Sequence, residues 1–338
     1  MFKSKIKYNH FKFKFLFIIL VAVSALSICL SPSLFSNQSN NYFKNDSSYL
    51  FKQRKLCLID TTSENKVMNY IYNAPESEKD ERYGYHWEIL KTALEKTKKK
   101  YGLYKMTRAK FMTERRQLHE IKKGSKEINI MYLGTTQELE RDLLPIRIPV
   151  DKNLGGYCVM LIRKEDQEKI NRIKTLEDFR KLSIGLGYGW IDVSILEHNK
   201  FNVVTGSSYE GLFKMLANKR FDVFSRSAVE IIDEFNLRSK EFKNLKIEDS
   251  LLLYYPLPMY FWFSKNEKGL KLKKRAEEGM RMMIKDGSYD SIFNRYHGKK
   301  TQILNLRKRK IFKVENPFLV AETPFSDLSL WYNPISRK

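Results

Sequence analysis

Acidic residues are the scarce class in this sequence: 39 Asp and Glu stand against 62 Lys and Arg in 338 residues, a formal net charge of +23. Such a balance speaks of long-range attraction for anions rather than of fold. The basic residues are scattered, and the densest runs, 96–100 and 307–310, read as a helix end and a solvated loop or strand edge, so no nucleic-acid partner is expected. Cysteine is nearly absent. Cys29, Cys57 and Cys158 lie in separate apolar segments and read as small hydrophobes, which excludes a disulfide framework. The five histidines form no His-x-x-x-His and no Cys-x-x-Cys accompanies them, so neither a metal site nor a cofactor is expected. Gly-x-Gly-x-x-Gly and the phosphate loop Gly-x-x-x-x-Gly-Lys-Ser/Thr are also missing, which removes the dinucleotide and nucleoside triphosphate signatures.

What is present is a globular composition, 42% apolar and 13% aromatic, in a chain long enough for two lobes with cores of their own. The start is different. Residues 1–14 carry five lysines and no acid, and residues 15–30 are a charge-free apolar run, the layout of a secretory signal. Residues 1–36 are read as that signal and 37–54 as a linker, which places the protein in the periplasm, with an uncleaved inner-membrane anchor as the alternative. A chain beginning at Asn37 still carries +18.

The stretch that organises the remainder is 182–192, Leu-Ser-Ile-Gly-Leu-Gly-Tyr-Gly-Trp-Ile-Asp. It reads as a strand, a glycine turn and a helix start, with bare amides at the helix N-terminus and Tyr188 and Trp190 interleaved among the glycines. That suits a small organic ligand with a polar or anionic group; a tight turn with close packing is the simpler use of the same glycines. Before it, 55–60 reads as a strand with Thr61 at its end, 85–99 as an amphipathic helix, and 127–133 as a strand ending at Gly134-Thr135-Thr136. Residues 144–150 contain two prolines, so they are no internal strand, and they take the chain out of the first lobe. After them 155–163, 201–205 and 221–224 read as strands, the last running into Ser225-Arg226-Ser227. Thr175 with Asp178 and Ser207 with Glu210 read as capping boxes. Two helical stripes close the pattern, Leu272, Ala276, Met280 and Met283 ending at Gly287, then Ile292, Phe293 and Tyr296 ending at Gly298. The methionines read as core. The proline-bearing tail is expected to wrap the first lobe.

In this order the elements resemble the extracellular solute-binding proteins of family three, the amino-acid transporter type. Phe263-Ser264-Lys265-Asn266 through Lys285-Asp286-Gly287-Ser288-Tyr289-Asp290 to Tyr296 resembles that family's closing helices. Glu140-Arg141-Asp142 with 145–149, and Phe213-Lys214-Met215-Leu216 with Arg220-Phe221-Asp222, resemble further elements of it, and together with the glycine stretch they look like a divergent subgroup over residues 55–300. The resemblance implies an α/β fold of two lobes, each a mostly parallel sheet flanked by helices, joined by two crossing segments: 55–150 and 258–338 for lobe 1, 151–257 for lobe 2. It implies a ligand clamped between them, a possible inner-membrane permease of the ABC type, and a monomer.

The family's carboxylate-binding arginine is matched by Arg141. Where the family has an ammonium-binding aspartate, this chain offers Ser225 and Arg226, and a cation there would repel an ammonium, so the expected ligand is a small polar solute, acidic or amino-acid-like, captured for an ABC-type transporter or a receptor. Asp192 is the remaining candidate carboxylate. The expected ligand-binding set is Thr61, Tyr132, Thr135, Arg141, Gly187, Tyr188, Trp190, Asp192, Ser225 and Arg226. No catalytic residues are evident. The alternatives are a membrane-anchored sensory or interaction module, and an enzyme on the same fold of the dehydratase kind.

Overall fold

A computed structural model describes residues 67–74 and 84–334. The strand expected at 55–60, Thr61, the leader and Cys57 lie outside the described residues. In chain order the first elements are β1 (Met68–Tyr72), α1 (Gly84–Lys96), α2 (Lys98–Tyr101), β2 (Tyr104–Arg108), α3 (Glu114–Lys123), β3 (Ile130–Gly134), α4 (Gln137–Asp142) and β4 (Leu143–Ile146). They form a five-stranded sheet with a later strand, β11 (Met259–Ser264), in the order β2-β1-β3-β11-β4. β1, β2 and β3 run parallel, while β11 is antiparallel to β3 and β4. Pro145 sits in β4 at the sheet edge, where its missing N–H leaves no gap in a central ladder. β1 and β2 escaped the sequence reading because both are short and neither offers a run of buried apolar residues: only Tyr70 of the ten is fully buried.

The second sheet is built from β5 (Tyr157–Arg163), β6 (Ser183–Gly187), β7 (Asn202–Gly206), β8 (Val223–Ser227), β9 (Leu245–Ile247) and β10 (Leu251–Tyr254). Helices α5 (Gln167–Asn171), α6 (Leu176–Arg180), α7 (Ile191–His198), α8 (Tyr209–Ala217) and α9 (Ile231–Arg238) connect them. Every residue of β5 is buried, as a central strand requires. Cys158, Met160 and Ile162 face one core with Phe179 and Leu196, while Val159 and Leu161 face another with Leu212, Phe213 and Ile231. The Thr175–Asp178 capping box is formed. The expected Ser207–Glu210 box is not: Ser208 is the cap, accepting from the Gly211 amide at 3.3 Å, and Glu210 pairs with Arg238.

After β11 come α10 (Glu267–Lys285) and α11 (Ser288–Leu304). α10 packs on α1 so closely that a Cβ at Gly279 would stand 2.1 Å from the Ala93 carbonyl oxygen. Leu272, Ala276, Met280 and Met283 are all buried, as their spacing predicts. Arg275, buried on the same helix, donates to the carbonyls of Leu94 and Gly102, at 3.2 and 2.8 Å, and so closes the C-terminal end of α1. α11 does not stop at Gly298; it continues to Leu304, because one glycine in a helix with apolar partners on both sides costs only about 1 kcal/mol.

The tail departs from its expected place. Instead of wrapping the first sheet, β12 (Lys310–Lys313) joins the second, pairing parallel with β10. Phe312 supplies the reason, since it is buried in the core around Phe179. The chain then returns: the Tyr332 amide donates to the Lys152 carbonyl and its ring meets Phe293 on α11. The chain therefore passes from the first sheet to the second, back, to the second again at β12, and finally back toward α11. Among the described residues no helix is long and apolar enough to cross a membrane.

Candidate functional site

The parallel strands of each sheet deliver their C-terminal ends to one region, which is where open α/β sheets hold ligands. β1 ends at Asn73, buried, with no hydrogen-bond partner on its side-chain Oδ1. β3 ends at Gly134. A Cβ added there would meet Leu257 Cδ1 at 2.8 Å and Ile191 Cγ2 at 3.3 Å, so the end of the first sheet rests against the first residue of α7 from the second. Thr135 follows, fully buried, its amide donating to Pro258 and its hydroxyl to Glu140 at 3.3 Å. Tyr132 stacks on His86 with ring centroids 3.7 Å apart.

On the second sheet the glycines of β6 have separate tasks. Gly185 leaves room for the Phe221 ring and Gly187 for the Trp190 ring, each of which a Cβ would approach to within 2.4 Å. Gly189 takes φ +86°, the left-handed turn that starts α7. Trp190 is thus pressed down on Gly187, and Tyr188 is 76% exposed. Asp192, in the first turn of α7, is half-buried and accepts a hydrogen bond from the Tyr255 hydroxyl at 2.5 Å. Burial raises its carboxyl above the ordinary aspartate value, against the opposing pull of that hydrogen bond and of Arg226. The buried Cys158 thiol lies 3.4 Å from the same hydroxyl, and burial pushes it up to about 12, so it is not a nucleophile. Ser225 is buried on the adjoining strand.

Arg226 is also buried, and it is taken. It donates Nε and Nη2 to the two carboxylate oxygens of Glu234 at 2.7 and 2.6 Å, and Nη2 stands 2.8 Å from Glu230. Its guanidinium lies over the Trp190 ring, 4.8 Å from the centroid. Burial works against its charge, but Glu230 and Glu234 overcome that and hold it above the usual arginine value. The free cation on which the expectation of an acidic ligand rested is therefore absent from this wall. Glu230 and Glu234 pair with this guanidinium, and Asp192 is near enough to feel its charge.

Arg141 does not belong to the site. α4 runs away from Thr136, its N-cap, so Arg141 stands at the opposite end of the sheet, 72% exposed and bonded to Asp142 at 2.7 Å. Its backbone carbonyl accepts from Lys265, which follows the far end of β11. The arginine that does return to the site end is Arg147, just after β4, paired with Glu140 at 2.5 Å. Sequence reasoning missed Arg147 and Asn73. Arg147 stood in plain view between two prolines that mark the exit from the sheet; Asn73 follows a five-residue strand, β1, that the sequence reading did not recognise. The site region thus gathers Tyr132, Thr135, Gly187, Trp190, Asp192, Ser225 and Arg226, with Tyr188 on its outer turn. Arg141 is excluded, and Thr61 lies outside the described residues.

Comparison with protein-family models gives no match, and comparison with curated proteins gives none either. Solved structures do match in fold. An ancestral arginine-binding protein bound to arginine superposes with a TM-score of 0.50 at 16% identity, covering 68% of this chain and 98% of its own. The same ancestral protein bound to glutamine gives 0.50 and 16% over the same shares. An amino-acid ABC transporter substrate-binding protein from Streptococcus pneumoniae, bound to L-arginine, gives 0.51 at 14% identity, covering 68% of this chain and 94% of its own. The two-sheet α/β architecture is that of these periplasmic binding proteins.

Proposed function

We propose that this chain is an exported solute-binding protein that holds a small amino-acid-like solute between the ends of β3 and β6, with a cationic group of the solute against Asp192. The observation that carries this reading is Asp192 in the first turn of α7, a half-buried carboxylate that accepts from the Tyr255 hydroxyl and has no ion pair of its own among the described residues. With the Arg226 guanidinium committed to Glu230 and Glu234, an ammonium or guanidinium of the solute is the group that would balance Asp192. The arginine and glutamine found in proteins of the same fold are in keeping with it. Trp190 supplies an apolar face, and the amides at the start of α7 and the Asn73 side chain supply polar contacts. On this reading residues 1–36 are the export signal, the protein acts as a monomer in the periplasm, and a permease of the ABC type receives the solute. No step of chemistry is involved.

The test is calorimetric titration of the purified chain with arginine, lysine, glutamine and a dicarboxylate, repeated with Asp192→Asn. The amine-bearing solutes bind and the dicarboxylate does not. The variant loses roughly tenfold or more in affinity, the scale of one hydrogen bond to a charged group. Binding of the dicarboxylate alone, unchanged in the variant, overturns the reading.

A further inference from the structure

The positive charge of this protein is not shared between its sheets. Residues 67–150 and 258–304, which hold the first sheet and its helices, carry 28 Lys and Arg against 17 Asp and Glu, a surplus of 11; residues 151–257 carry 17 against 16, a surplus of 1. Within the first group the surplus gathers at one end. Three turns meet where β1, β2 and β3 begin and β11 ends: 97–103, 123–127 and 264–271. The Met68 amide donates to the Leu103 carbonyl, and Ile130 pairs with Phe263. A Cβ on Gly124 would touch the Asn266 side chain at 2.5 Å. Together these turns carry eight exposed lysines, 98, 99, 100, 123, 126, 265, 268 and 271, against the acids Glu127 and Glu267. Among the described residues Lys99, Lys123, Lys126 and Lys268 have no ion-pair partner. Two leucines stand out among them, Leu103 at 53% and Leu270 at 54% exposure.

We propose that this end of the first sheet, opposite the ligand site, is a docking face for an anionic phospholipid bilayer. Clustered lysines with isolated, projecting apolar side chains are the composition of an interfacial membrane surface: the ammonium groups meet lipid phosphates and the leucines enter the headgroup boundary. A purely solvated face needs no exposed leucines, and a dry protein interface disfavours lysine. The position suits the occupant as well. Val67, itself exposed, precedes β1 beside Leu103 at this same end and adds to its apolar projections. With this face on the membrane, the C-terminal ends of β1, β2 and β3 lie on the side away from it. The inference does not depend on which solute binds.

The full chain is reconstituted with vesicles of phosphatidylcholine or of phosphatidylglycerol, and amide hydrogen exchange is followed in 97–103, 123–127 and 264–271. The leader carries five lysines of its own, so the face is distinguished from it by the lysine and leucine variants, in which the leader is unchanged. With phosphatidylglycerol, exchange in the three turns slows by about tenfold or more, and the effect fades at high salt. Lys99→Glu with Lys268→Glu abolishes it, and Leu103→Ser with Leu270→Ser weakens it, while both double variants keep the parent melting temperature. Equal protection with both lipids, or none with either, overturns the proposal. So does full protection by soluble polyphosphate that the leucine variants leave unchanged, which would mark a polyanion site instead.

Discussion

Asp192 and Tyr255 join the ligand-site turn to the strand that carries the chain back to the first sheet: the hydroxyl of one donates to the carboxylate of the other at 2.5 Å across 63 residues of sequence. Tyr255 lies in the crossing segment, where Gly156 packs against its backbone, so this hydrogen bond ties the start of α7 to the crossing.

Gly156→Ala should loosen it. A Cβ there would stand 2.3 Å from the Tyr255 carbonyl oxygen, backbone against backbone, with no side chain to swing aside. A loss of about 1–3 kcal/mol is expected in denaturant unfolding. A variant as stable as the parent would show that the two crossing segments are free to part.

Asp151, fully buried in the same crossing, accepts from the amides of Asn153 and Gly155 at 3.0 and 2.8 Å. Burial pushes its carboxyl up to about 7. Because the folded value lies above the unfolded one near 4, its contribution is whole below about pH 4 and lost as pH rises through 7, on the order of 4 kcal/mol. Asp151→Asn should flatten the melting temperature between those limits. An unaltered pH profile in the variant removes Asp151 as its source.

His297 gives the opposite slope. Its ring is buried against Tyr85 and Phe293, neither nitrogen has a hydrogen-bond partner, and burial, with Lys300 nearby, lowers it to about 3. The unfolded histidine takes a proton near pH 6.5, so stability is whole above that and falls as the pH drops toward 3, by about 5 kcal/mol. His297→Phe keeps the ring contacts and should retain stability at pH 4 that the parent loses. Equal acid melting of parent and variant would assign acid unfolding to other groups.

Glu234→Ala should be among the most damaging single changes in the second lobe. It strips Arg226 of its bidentate partner and leaves the Tyr209 hydroxyl without that acceptor, about 3–5 kcal/mol for a buried pair broken from one side. Replacing Arg226 and Glu234 together by Met and Leu should recover most of it. If the double variant is no better than the single, the pair is needed for more than its charge balance.

Much of the second sheet was legible because its signals are local. β5 is an unbroken apolar run, the Gly185-x-Gly-x-Gly stretch turns where its glycines say, and Thr175 with Asp178 caps as its spacing demands. The ligand wall was legible only as a set of residue types. Arg226 shows why: Ser225-Arg226-Ser227 announces a cation at a strand end, but its partner Glu234 comes one helix later, and nothing in the spacing says that the two carboxylate oxygens turn back to it. Arg141 failed for a different reason. Its place along α4 follows from the direction in which the helix leaves β3, a property of the assembled sheet. Of β12 the sequence offered no more than a strand edge as one alternative for 307–310, since four residues with two lysines become a strand only where β10 offers an open edge and Phe179 a place for Phe312.

That last strand has a consequence for how the molecule is made. The first sheet lacks β11 until residue 264 has been synthesised, and the second lacks β12 until residue 313, so neither can finish from a contiguous piece of chain. Until then β10, read Leu-Leu-Leu-Tyr, presents a bare apolar edge, the kind of strand that recruits other chains. A transcript cut short anywhere between these points yields a polypeptide that retains its site-forming residues and fails by aggregation during biogenesis.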